Sequence, residues 1–276
     1  MILYGKPVAD ALLDNAASKI DNLAGKTPKL VIITNPNDPA SQVYAKNKVK
    51  ACVMCGINVE TIAMPENSTT HQYLNLLAKL NQDKKVTGII VQLPIHKTAD
   101  EKIVSSAINK EKDVDGFLKD SYFPPCTPAG IIHMLDFYKG KGFLAGKNAV
   151  VIGRSEIVGK PIAQLLLNRD ATVTICHSKT ANLKDFTKHA DVIISAVGKP
   201  NFLTSDMVKP NACVIDVGIN RVNGKLVGDC DFENLKDLCD ITPVPGGVGP
   251  MTVATLVHRL PILYQKQLQK EAEHEK

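Results

Sequence analysis

Tyr44 and Lys48 stand four residues apart, a spacing that puts a phenol and an amine on one face of a helix. Asp38 can cap that helix, Pro39 can begin it and Gly56 can end it, while Ala45, Val49, Cys52 and Val53 form its apolar stripe. A lone helical lysine is ordinarily solvated, as Lys46 and Lys50 on the opposite side are expected to be. Lys48 differs because it borders the stripe beside a tyrosine. An apolar burst from Val86 to Val91 then ends in Gln92, Leu93 and Pro94, placing an amide at the carboxyl end of a strand, where open α/β sheets bind ligands. KDVDGF follows, and its two acids, Asp113 and Asp115, exceed what an Asp-Gly turn requires.

A second group of residues describes a loop of fixed shape. In PVPGGVGPMT, Pro243 to Thr252, prolines restrict φ while glycines allow positive φ and close backbone approach, so the segment can present bare amides to a flat ligand; a tight connection between elements is the plainer reading. A third group, AVVIGRSEIVGKP from Ala149 to Pro161, reads as strand, glycine turn and helix start, the arrangement in which helix-terminal amides meet a phosphate. Only Gly153 and Gly159 are present, so the usual three-glycine fingerprint is absent and a purely structural turn stays open. The next strand, Thr172 to Cys176, runs into His177, Ser178, Lys179 and Thr180 where sites for NAD place an acid. With Arg154 in the first turn, those donors suit a 2′-phosphate and therefore NADP.

These groups need elements to hold them. At 276 residues the chain exceeds one small core and fits two lobes with a cleft. Its 44% hydrophobic and 22% charged residues describe a soluble globular protein without disordered tracts. The net charge of +5 is dispersed and accompanies no nucleic-acid motif. Seven irregularly spaced cysteines argue for a reducing compartment, with cytoplasm the natural inference; the Cys52/Cys55 pair lacks partners for zinc, and no metal is expected. Lys6, Pro7 and Asp10 interrupt any export signal, and no run has the length of a membrane span.

Bursts at Lys29 to Thr34, Ile57 to Ala63 and Val86 to Leu93 alternate with helical segments such as His71 to Asn81, a βαβ rhythm. After Gly116 the pattern breaks into SYFPPCTPAG, where Thr127 can cap and Pro128 can start a helix towards Tyr138. A second series follows: Ala149 to Ile152, a helix from about Ile157 to Asn168, Thr172 to Cys176, Asp191 to Val197 and Cys213 to Val217, each strand apolar enough for a buried parallel sheet. The last segment, Val253 to Lys276, is helical in pattern but holds Pro261, so it either kinks or divides.

In this order YAKNKVK, VQLPIH, KDVDGF, PPCTP, GRSEIVGKP, ATVTICHSKT and PVPGGVGPMT resemble the bifunctional methylenetetrahydrofolate dehydrogenase/cyclohydrolase family, over about Gly5 to Thr255. The resemblance implies an α/β protein of two αβα lobes with a cleft between them, the second a Rossmann-type doubly wound parallel sheet. Residues 1–118, joined by a C-terminal helix over 256–276, would form the folate-binding catalytic domain, and 119–255 the NADP-binding domain. It implies oxidation of 5,10-methylenetetrahydrofolate by NADP⁺ and hydrolysis of the methenyl product to 10-formyltetrahydrofolate, within one-carbon metabolism.

The family's catalytic positions carry over to Tyr44, Lys48, Gln92 and Asp115. Asp115 can accept paired hydrogen bonds from a pterin, Tyr44 can pack on the aminobenzoyl ring, and Lys48, neutral when desolvated beside a cation, can assist attack by water. Substrate positions extend to Val91 and Leu93 and to Pro245, Gly246, Gly247, Val248 and Gly249; cofactor positions are Gly153, Arg154, Ser155, Ser178 and Ile219. The resemblance also implies a homodimer joined through the nucleotide-binding lobes, and folates, polyglutamylated forms among them, as substrates. Another two-lobed NADP dehydrogenase, such as one acting on shikimate, would share the turn Ala196 to Pro200 but leave Tyr44, Lys48 and PVPGGVGPMT unexplained. A dehydrogenase with one activity and a non-catalytic NADP or folate sensor are the remaining alternatives.

Overall fold

Short runs of β-branched residues separated by amphipathic helices produce two parallel sheets. The computed structural model describes residues 1–23 and 25–274. Its contacts divide the chain into two units, Ala11–Pro124 with Val253–Lys276, and Met1–Asp10 with Pro125–Thr252.

The chain begins with α1 (Gly5–Asp21), β1 (Lys29–Thr34), α2 (Pro39–Met54), β2 (Asn58–Ala63), α3 (Thr70–Gln82), β3 (Gly88–Val91) and α4 (Glu101–Ser106). The sheet of the first unit has the order β2-β1-β3, all parallel, with Ile32 opposite both Thr61 and Ile90. Its centre, β1, is buried almost throughout, whereas β2 is a largely exposed edge. Apolar side chains from β1, α3 and β3, among them Val31, Ile33, Tyr73, Leu77 and Ile89, pack into one core. Helix α2 starts where its caps predict: the Asp38 carboxylate accepts from the Ser41 amide at 2.6 Å, Pro39 occupies the first turn, and Gly56 leaves the helix at φ +76°.

The buried face of α2 is Ser41, Ala45, Lys48 and Cys52, continued by Cys55 at its C-cap. Val53, assigned to the apolar stripe by sequence, is 61% exposed, and Lys48 lies in the middle of the covered face rather than at its border.

The second unit contains α5 (Cys126–Lys139), β4 (Asn148–Ile152), α6 (Gly159–Leu167), β5 (Thr172–Cys176), α7 (Leu183–Thr187), β6 (Val192–Ser195), a 3₁₀ turn (Ser205–Met207), β7 (Cys213–Asp216), β8 (Asn220–Val222), β9 (Lys225–Val227), α8 (Phe232–Leu235) and β10 (Asp240–Ile241). Five parallel strands take the order β10-β7-β6-β4-β5, so the chain winds one way from β4 to β5 and the other from β6 onward. The reversal between β4 and β6 is the topological switch point of a doubly wound sheet. Strand β5 departs from the expected buried pattern: it is the sheet edge, with Thr172 and Ile175 exposed. The expected helix start near Ile157 falls at Gly159. Helix α5 begins at Cys126 after Pro125, and Thr127, instead of capping it, shares a 2.9 Å hydrogen bond with the Thr252 hydroxyl.

The closing helix, α9 (Val248–His274), is unbroken through Pro261. A helix-interior proline costs about 3 kcal/mol. The buried face of Leu256, Val257, Leu260 and Leu263 outweighs it. No described helix is long and apolar enough to cross a membrane.

Candidate active site

In the three-stranded unit the chemistry gathers at the carboxyl end of β3. A parallel bridge pairs Ile89 with Asp113, so the KDVDGF segment runs alongside β3 and arrives at the end of the sheet that Gln92 occupies. The two acids there do different work. Asp113 makes the turn, accepting from the Gly116 amide at 2.9 Å and the Leu118 amide at 3.0 Å. Gly116 is required at φ +78°, because a Cβ there would lie 2.4 Å from the Pro124 carbonyl oxygen. Asp115 is thereby free for another role, and its carboxylate lies 3.9 Å from the Lys48 ammonium, both side chains being buried. Burial pushes the Asp115 carboxyl above the ordinary carboxylate value; Lys48 opposes this, Asp113 adds to it, and the Arg259 guanidinium opposes it.

Tyr44, one turn before Lys48, is 48% exposed and so presents its ring to solvent while the lysine is covered. Gln92 donates its amide nitrogen to the Leu93 carbonyl at 3.1 Å, and its side-chain oxygen is buried with no hydrogen-bond partner among the described residues. Val91 and Leu93 pack into the core beneath it. The structure thus brings Lys48 and Asp115 together and leaves an acceptor on Gln92 unused.

In the five-stranded unit, Gly153 closes β4 at the switch point with φ +126°. A Cβ there would sit 2.4 Å from the carbonyl oxygen of Ala196, the residue after β6, and one on Gly159 would sit 2.4 Å from the Gly153 carbonyl oxygen. Both glycines are therefore compelled by backbone approach. The Ser155 hydroxyl accepts from the Val158 and Gly159 amides at 3.3 and 3.2 Å, so these two amides are held from within the turn.

Arg154, Ser155, Ser178 and Ile219 are exposed, and Thr180 folds the loop after β5 by accepting from the His177 amide at 2.9 Å. Ser195 Oγ, buried at the carboxyl end of β6, has no hydrogen-bond partner among the described residues. A tight glycine turn, an unused buried hydroxyl, an exposed arginine and no acid after β5 fit a phosphorylated dinucleotide.

The expected loop Pro243 to Thr252 is helical from Val248 on: in the turn before α9 Pro245 is exposed, Gly246 half-buried and Gly247 buried, and in the first turn of α9 Val248 is buried and Gly249 exposed. Gly246 accepts from the Gly5 amide at 2.8 Å, and a Cβ on Gly5 would meet the Gly247 carbonyl oxygen at 1.9 Å. Part of this loop's shape is thus spent on packing within its own unit.

Two residues that sequence reasoning did not single out organise the same unit. The Asp229 carboxylate is fully buried; one oxygen accepts from the amides of Val197 (2.6 Å) and Gly198 (3.1 Å), the other from the Lys199 amide (3.0 Å) and the Asn220 side chain (3.0 Å). Asp216 accepts from the amides of Gly218, Asp229 and Cys230. A Cβ on Gly218 would lie 2.1 Å from Asp229, and one on Gly228 would lie 2.0 Å from Asp216. The signal for this pair is an acid two residues before one glycine and another acid directly after a second, DVG and GD.

Comparison with known proteins agrees with this geometry. Residues 3–115 match the catalytic domain of tetrahydrofolate dehydrogenase/cyclohydrolase, and residues 125–268 match its NAD(P)-binding domain. The bifunctional protein FolD of Exiguobacterium sibiricum is 47% identical over 270 residues, which span 94% of this chain and 97% of that protein. Among solved structures, the bifunctional FolD of Campylobacter jejuni superposes with a TM-score of 0.92 at 42% identity, covering 96% of this chain and 99% of that one. The Trypanosoma brucei FolD, solved with NADP cofactor and an inhibitor, gives 0.89 at 31% identity with 98% of each chain covered. With a buried lysine and carboxylate in the part that matches the catalytic domain and a switch-point glycine turn in the part that matches the NAD(P)-binding domain, this chain belongs to the tetrahydrofolate dehydrogenase/cyclohydrolase family.

Proposed function

We propose that this chain oxidises 5,10-methylenetetrahydrofolate to the 5,10-methenyl cation with NADP⁺ and then hydrolyses that cation to 10-formyltetrahydrofolate. The observation that carries the reading is the buried Lys48 amine 3.9 Å from the Asp115 carboxylate on a half-exposed tyrosine's face. Asp115 accepts the ring N–H and exocyclic amine of the pterin, and Tyr44 packs on the aminobenzoyl ring. Substrate contacts extend to Val91, Leu93 and the loop Pro245, Gly246, Gly247, Val248 and Gly249. NADP⁺ supplies the hydride acceptor. Gly153, Arg154, Ser155, Ser178 and Ile219 hold it, with Arg154 and Ser178 on the 2′-phosphate. In this reading residues 1–118 with 256–276 carry the folate site and 119–255 the cofactor site.

For the hydrolysis, water adds to the methenyl carbon and passes one proton to the Lys48 amine; the remaining hydroxyl proton of the adduct moves to N5 as the bond from that carbon to N5 breaks, leaving the formyl group on N10, and the proton taken by Lys48 is the one released overall. Gln92 Oε1, which lacks a protein partner among the described residues, is available to accept from that water. Seven cysteines, all buried, fit a reducing compartment, the cytoplasm. The working form is a homodimer joined through the nucleotide-binding units.

Lys48→Met tests the reading. Loss of a proton acceptor should lower cyclohydrolase turnover by about 100-fold or more while dehydrogenase turnover stays within about 10-fold. Undiminished hydrolysis would refute the role of Lys48.

A further inference from the structure

The Asp115 carboxylate has a second cationic neighbour. Arg259, on α9, is 3% exposed, and its guanidinium donates to the carbonyl oxygens of Val114 (3.0 Å) and Asp115 (3.3 Å) and to that of Pro124. The same group lies over the Phe123 ring at 5.0 Å. It thus ties the two ends of the 114–124 loop to α9 at the residue that bears the carboxylate. A lysine is a point charge on a flexible stem; the planar guanidinium fork suits carbonyls that converge from two segments.

We propose that Arg259 is a positioning residue for Asp115, fixing its loop and supplying a permanent counter-charge that keeps the carboxylate ionised when Lys48 gives up its proton. This rests on the reading of Asp115 as the pterin anchor. The charged groups facing Asp115 are Lys48 from α2, Asp113 from its own loop and Arg259 from α9. Burial and Asp113 favour the neutral acid, and the two cations oppose them. A proton acceptor in the hydrolysis must spend part of the cycle uncharged, and at that moment Lys48 no longer opposes protonation of Asp115. Arg259 then remains as the neighbouring cation, and the pterin contact survives.

The test is the pH dependence of affinity for a 5-deaza tetrahydrofolate analogue, whose ring lacks the ionisable N5, in the wild type, Arg259→Lys and Arg259→Gln. Binding needs ionised Asp115, so affinity falls as pH drops through its titration. In Arg259→Gln that acid limb should move up by about one pH unit. In Arg259→Lys it should stay within about 0.3 unit of the wild type, because the charge is kept. NADP⁺ affinity should be unchanged in both. An acid limb that stays put in Arg259→Gln, or that moves equally in both variants, overturns the proposal and leaves a backbone clamp.

If Arg259→Gln does not fold, Lys48→Met gives a second reading: with Arg259 intact its acid limb should lie within about one pH unit of the wild type's, and a larger upward displacement overturns the proposal. Failure of the wild type to bind the analogue at any pH would instead remove the folate reading on which the proposal stands.

Discussion

Replacing Asp229 by Asn changes one atom and opposes two hydrogen bonds. In the native chain one carboxylate oxygen takes the Val197 and Gly198 amides, and the other takes the Lys199 amide and the Asn220 side chain. An Asn side chain has one acceptor oxygen and one NH₂, so in either orientation two part-buried N–H donors face a third donor. An unsatisfied donor costs about 1–3 kcal/mol when buried, and the low end of that range for each of these part-buried donors gives about 2 kcal/mol for Asp229→Asn. At about 2–4 °C per kcal/mol in a chain of this size, the melting midpoint should drop by about 6 °C. The chain has no tryptophan, so far-UV circular dichroism is the suitable probe. The turn at residues 197–199 follows β6, so NADP⁺ affinity, measured by calorimetry well below the melting transition, should weaken as well. A midpoint lowered by less than about 2 °C with unchanged NADP⁺ affinity would refute the view that Asp229 holds that turn.

Arg154→Ser should raise the Michaelis constant for NADP⁺ by about 10-fold or more and leave any use of NAD⁺ nearly unchanged, checked by steady-state kinetics with both; equal losses would count against a 2′-phosphate contact. Asp115→Asn should abolish folate affinity and both activities, yet leave the melting midpoint of the ligand-free protein unchanged or higher at pH 7.5. The sign follows from the raised Asp115 carboxyl: the folded chain binds that proton more tightly than the unfolded one, so the group favours folding below its titration and opposes it above. The thiols of Cys52 and Cys213 are pushed up to about 12, mainly by burial, and all seven cysteines are buried. An aromatic disulfide reagent should therefore titrate almost no thiol in the folded protein at pH 8 and seven in denaturant.

Much of the fold is written in local chemistry. Asp38, Pro39 and Gly56 bound α2 because each supplies what a helix end needs, and β1, β4 and β5 are legible as bursts of β-branched residues. Sheet position is not local: Thr172 to Cys176 has an interior strand's composition, yet nothing within it says that it forms an edge. Val53 is apolar yet exposed, because apolar character alone does not tell which side of α2 meets the sheet.

At the site, Lys48 and Asp115 stand out as residue types in excess of structural need. Arg259 does not, since its partners are carbonyls 135 to 145 residues away in sequence. Asp216 and Asp229 are hidden for a related reason: an acid beside glycine reads as a turn, and only the folded chain reveals that backbone amides surround both carboxylates.

The most direct test of the account is a single time course of the purified protein with 5,10-methylenetetrahydrofolate and NADP⁺, following NADPH and, after acid quench, total folate converted to the methenyl form. The account predicts that NADPH rises while methenyltetrahydrofolate before quench stays well below it and the difference appears as 10-formyltetrahydrofolate. Absence of NADPH with either NADP⁺ or NAD⁺, or NADPH matched one for one by persistent methenyltetrahydrofolate, would contradict it.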